Sequence, residues 1–63
     1  MQSTDLRSLF HELNNQLGVA LAHAELMEAK ATDAGTHARA TTVVTAVLEA
    51  MAVARSIRDR AIR

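Results

Sequence analysis

In the first half of the chain Leu6, Phe10, Leu13, Leu17, Ala20, Ala24, Met27 and Ala31 follow one another at alternating steps of four and three. On a helix that spacing draws a single apolar stripe, and Leu9, Val19, Leu21 and Leu26 broaden it. In the second half Ala40, Val43, Val47, Ala50, Ala54, Ile57 and Ala61 repeat the same steps, with Val44, Leu48 and Met51 beside them. The run Thr41 to Thr45 is β-branched but lacks polar alternation and a closing turn, so it reads as helix. Between the stripes, Ala31-Thr32-Asp33-Ala34-Gly35-Thr36 combines a glycine able to take positive φ with residues that cap a following helix. Ser3, Thr4 and Asp5 offer capping oxygens and a favourable negative charge ahead of the first stripe. The pattern predicts helix one over about 4–31, a turn over about 32–36 and helix two over about 37–62, one domain across 1–63.

Composition strengthens this reading. There is no proline, glycine occurs only at positions 18 and 35, and alanine, the strongest helix former, is the commonest residue. A chain of 63 residues, 49% hydrophobic and without cysteine, buries too little surface alone to offset its conformational entropy. The expected fold is therefore all-α: an antiparallel two-helix hairpin that pairs with a second copy as a homodimeric four-helix bundle. Apolar runs are only a few residues long and no secretory signal is present, which leads us to expect a cytoplasmic protein with no membrane contact.

Charge is balanced overall but not along the chain. Residues 1–34 carry Asp5, Glu12, Glu25, Glu28 and Asp33 against Arg7 and Lys30, while residues 35–63 carry Arg39, Arg55, Arg58, Arg60 and Arg63 against Glu49 and Asp59. Antiparallel packing would bring Asp5 and Glu12 toward the Arg55 to Arg63 stretch, with exposed pairs each worth about 0 to 1 kcal/mol. One aromatic residue, zero net charge and no recognition motif argue against a nucleic-acid partner. His23 and His37 lack ligand partners at helical spacing, so no metal site is expected, and no cofactor motif occurs.

The chemistry is concentrated in Phe10-His11-Glu12-Leu13-Asn14-Asn15-Gln16-Leu17. With Phe10 and Leu17 facing a core, His11 faces outward and Asn15 lies one turn further on the same side. A carboxylate such as Glu12 at the imidazole edge would hold one ring nitrogen protonated and leave the other nucleophilic, as phosphoryl acceptance requires. This run, followed by Val19, Leu21, Ala24, Glu25 and Leu26, resembles the H-box of bacterial two-component sensor histidine kinases. The likeness is to the subgroup in which His-Glu or His-Asp precedes an Asn-Asn pair, and Ala50 to Arg58 is similar to the alanine-rich second helix of the same dimerisation and histidine phosphotransfer domain.

The resemblance implies His11 as phosphoacceptor, Glu12 as the acid that assists it, and Asn15 as the polar group that places a water or a partner's aspartyl phosphate. Gln16 stands where many members have proline. The implied partner is a response-regulator receiver domain, or else a histidine kinase or its ATP-binding domain. Sixty-three residues hold no ATP-binding domain, so autophosphorylation by this chain alone is not expected. The antiparallel hairpin would bring Arg55 and Arg58 near the level of His11, where they could steady phosphoryl charge. The rival reading is a scaffold that only dimerises, or a decoy that occupies a kinase or receiver.

Overall fold

A computed structural model of the chain describes residues 3–62, with side chains from Asp5 onward; the capping oxygens expected of Ser3 and Thr4, and Arg63, lie outside the described side chains. Two helices, α1 (Ser3–Lys30) and α2 (Ala34–Ala61), lie antiparallel in a hairpin with extents of 48 × 16 × 12 Å. The all-α hairpin predicted from the hydrophobic pattern is the observed fold.

The connection is tighter than predicted, Ala31 to Asp33 rather than 32–36. Asp33 has extended backbone, φ −129° and ψ 157°, and its Oδ2 accepts the Thr36 N–H at 2.9 Å, while its carbonyl accepts the His37 N–H at 3.0 Å. Helix α2 therefore starts at Ala34, because the aspartate caps it directly. Gly35 accordingly lies inside the helix, and no residue with positive φ occurs among those described. Its missing side chain serves the cap instead: a methyl group there would sit 3.3 Å from Asp33 Oδ2. The Thr41 to Thr45 run is helical throughout, with the Thr42 hydroxyl donating to the Ala38 carbonyl at 3.0 Å.

The helices meet along a narrower stripe than the pattern draws. Leu6, Phe10, Asn14, Leu17, Gly18, Leu21, Ala24, Glu28 and Ala31 are half-buried or buried on the side toward α2, whereas Leu13, Ala20 and Met27, expected on the seam, are exposed. On α2 the inward set is Ala40, Val44, Val47, Met51, Ala54, Arg58 and Ile62, with Val43, Ala50, Ile57 and Ala61 exposed. A helix with one neighbour covers only part of a broad apolar face, and the rest stays open. The only buried side chains described are Ala24, Ala40 and Ala54, at 3, 3 and 5% exposure, whose small size lets the two backbones approach closely. Near the turn the Thr41 hydroxyl donates to Glu28 Oε2 at 2.6 Å and ties the two helices together.

Successive helical residues turn by about 100°, so each helix has two flanks beside its inward stripe. On one flank Phe10, Leu13, Leu17, Ala50, Val53, Ala54 and Ile57 line an open apolar groove of about 360 Å³. On the other, at the open end, Arg7, Arg58, Asp59 and Ile62 line a cleft of about 240 Å³. These linings also fix the register, with Phe10 across from Ala54 and Arg7 across from Arg58.

Candidate functional site

His11 is exposed on α1 one turn after Arg7, and Asn15 is exposed one turn after His11. The three residues lie four apart and run down the flank opposite the apolar groove. Glu12 is turned about 100° further round, toward the back of α1. No hydrogen bond among the described residues joins it to the imidazole. The geometry thus brings His11 and Asn15 together as an exposed pair and leaves Glu12 adjacent in sequence but directed away.

The hairpin register sets Arg55 at the level of His11 on the same flank, and Arg58 one turn away at the level of Arg7. Arg58 is already engaged. Its Nη2 and Nε donate to Asp59 Oδ1 at 3.1 and 3.3 Å, the one ion pair among the described side chains. Among the described side chains none of the pairs expected between Asp5 or Glu12 and the arginine-rich stretch forms: Arg58 finds its carboxylate on its own helix and Glu12 faces away. Arg7 was not singled out by the sequence pattern, although its place four residues before His11 on a helix marks it as a neighbour. With Arg55 and Arg58 it makes the open end of this flank cationic.

No family model, curated protein or solved structure matches this chain.

His23 and His37 are both exposed, and no group of three or more His, Asp or Glu side chains gathers among the described residues. The expectation that no helix is apolar enough to cross a membrane needs correction. Helix α2 meets that requirement by length and composition, as the core helix of a soluble bundle also does. Its Ala, Val, Leu, Met and Ile residues raise the average over several turns although no uninterrupted apolar run is long.

Proposed function

We propose that the chain is a histidine phosphotransfer module of two-component type, cytoplasmic and homodimeric, that exchanges a phosphoryl group between His11 and the aspartate of a response-regulator receiver. The observation that carries the reading is the exposed His11, with Asn15 one turn below it on the same side of α1 and Arg55 level with it across the hairpin. In the loading direction a neutral ring nitrogen of His11 attacks the phosphorus of the receiver's acyl phosphate. The P–N bond forms, the P–O bond to the aspartate breaks, and the carboxylate leaves with the electron pair. The imidazole then loses its remaining ring proton to solvent or to a nearby carboxylate. Delivery to a receiver is the reverse of these steps.

Such a transfer depends mostly on positioning and on stabilising charge on the phosphoryl oxygens, tasks suited to Asn15 and Arg55. Homodimer formation is supported by the surface. The hairpin exposes 4889 Å², against about 4,000 Å² for a compact protein of its mass. The difference is close to the roughly 800 Å² that each partner buries in a standard interface. The apolar groove lies on the flank away from His11, so pairing through it leaves both histidines open to solvent.

The test is incubation with phosphoramidate, a small phosphoryl donor. The protein is expected to gain an acid-labile, base-stable adduct that is lost in His11→Gln. A folded, dimeric protein that takes no phosphoryl group from this donor or from phosphorylated receivers would be a scaffold or decoy instead.

A further inference from the structure

Arg7 and Arg58 line the cleft at the open end of the hairpin from opposite helices, with Asp59 and Ile62 completing it. Two guanidinium groups so placed repel each other, and the lining supplies a single carboxylate to offset them. Arg58 has a reason for its place. It stands in the last turn of α2, where the helix dipole favours a cation, and its side chain, 41% exposed, is tied to Asp59. Arg7 has no such reason, since it lies near the start of α1, where the dipole favours the opposite charge. The residues at pairing distance along its own helix are Ser3, Thr4, Phe10 and His11, none of them acidic. Asp5 and Glu12 are turned well away from it, at about 100° per residue. Among the described residues Arg7 makes no hydrogen bond or ion pair.

The bond to Asp59 does not exhaust Arg58. Its Nε and Nη2 both donate to one oxygen, Oδ1, at 3.3 and 3.1 Å, rather than spreading over both oxygens as a fork. Other N–H groups of the same guanidinium are left without a partner among the described residues. Arg7, Arg58 and Asp59 together give the lining a net positive charge, and Arg55 adds to it one turn nearer the level of His11. At about 240 Å³ the cleft is smaller than the roughly 300–1,000 Å³ of a site for a drug-sized ligand, and no aromatic side chain lines it. It therefore suits a small anion and not a nucleotide. Phosphate fits best, because its several oxygens accept hydrogen bonds from two guanidinium groups at once.

We propose that this cleft binds a small phosphate-class anion, either free phosphate or the phosphate group of a small phosphorylated compound, held between Arg7 on α1 and Arg58 on α2. The anion bridges the two helices at the end that no turn closes, and it offsets the repulsion between the arginines. The site is non-covalent and separate from His11, which lies one turn beyond Arg7, and it does not rest on the phosphotransfer reading.

The test is titration with inorganic phosphate, and separately with glycerol 3-phosphate, at an ionic strength held constant with sodium chloride, following the arginine Nε–H resonances of labelled protein. Saturating shifts are expected for Arg7 and Arg58, with a melting temperature that rises with phosphate concentration. Equal affinity for the two ligands would support the site and identify free phosphate as sufficient; tighter binding of the ester would support it and identify a phosphorylated compound. Arg7→Gln is expected to weaken binding at least about tenfold, the loss of a charged hydrogen-bond partner. Arg60→Gln removes the same charge from a position about 200° round α2 from Arg58 and should leave binding unchanged. Asp59→Asn should tighten binding by freeing Arg58 from a competing carboxylate, an effect opposite to that of merely breaking a structural ion pair. His11→Gln should bind as wild type does, so that failure of this site and failure of the phosphotransfer reading are told apart. Shifts that grow without saturating, or that weaken equally in Arg7→Gln and Arg60→Gln, would overturn the proposal by showing only screening of surface charge. Loss of dimer by Arg7→Gln in sedimentation would overturn it too, by placing a carboxylate of a second copy in the cleft.

Discussion

Asp33 does the most identifiable work of any single residue in this fold. The nearby Thr36 hydroxyl, and then the Thr36 backbone N–H that donates to Oδ2 at 2.9 Å, hold the Asp33 carboxyl below its ordinary value. A lowered folded pKa means that the ionised cap stabilises the hairpin at all pH values above the ordinary carboxylate range. That contribution is lost as pH falls through the lowered folded value. Asp33→Ala should lower the melting temperature at neutral pH, and Asp33→Asn, an equally good cap, should retain most of it while removing this part of the acid dependence. Thermal melts between neutral and strongly acid pH check both. The aspartate is legible in the sequence as a capping residue. That it ends the turn at once and draws Gly35 into α2 was not, because the sequence offered two turn signals and only the observed backbone chooses between them.

At the scale of the helix, the sequence supplies more apolar surface than one neighbour can cover. Leu13 and Asn14 illustrate the point: a pattern read from hydrophobicity puts Leu13 on the seam, yet Asn14 turns toward α2 and Leu13 is left exposed. A broad stripe defines a face but not its centre, and where the second helix lies on that face depends on which side chains permit the closest approach. Ala24, Ala40 and Ala54 are the ones that do. Enlarging one of them should therefore force the helices apart. Ala40→Leu is expected to destabilise the fold by about 1–3 kcal/mol, through overpacking that outweighs its added apolar area. Urea unfolding at fixed protein concentration measures this.

For the whole molecule, the consequence of that surplus is a hairpin with a second, unfilled apolar side. The groove between Phe10, Leu13 and Leu17 on α1 and Ala50, Val53 and Ile57 on α2 is continuous and uncharged. Val53 and Ile57 are more than half exposed. If a second copy fills it, sedimentation equilibrium should give twice the chain mass of 6.8 kDa, and the melting temperature should rise with protein concentration. Leu13→Glu should return the protein to the single-chain mass by placing a charge in the interface, without changing the inward stripe of the hairpin.

The two flanks of the hairpin differ in how far the sequence alone describes them. The alternation of four and three, the absence of proline and the abundance of alanine are enough to dictate two long helices, because helical propensity and amphipathic spacing are local properties of the chain. The outward placement of His11 and Asn15 follows from the same spacing, since residues four apart share a face whatever the helix packs against. The register of α1 on α2 is not local. It follows from where small side chains on both helices coincide and from the length of the turn, and it alone decides that Arg55 stands level with His11 and that Arg58 lies across from Arg7.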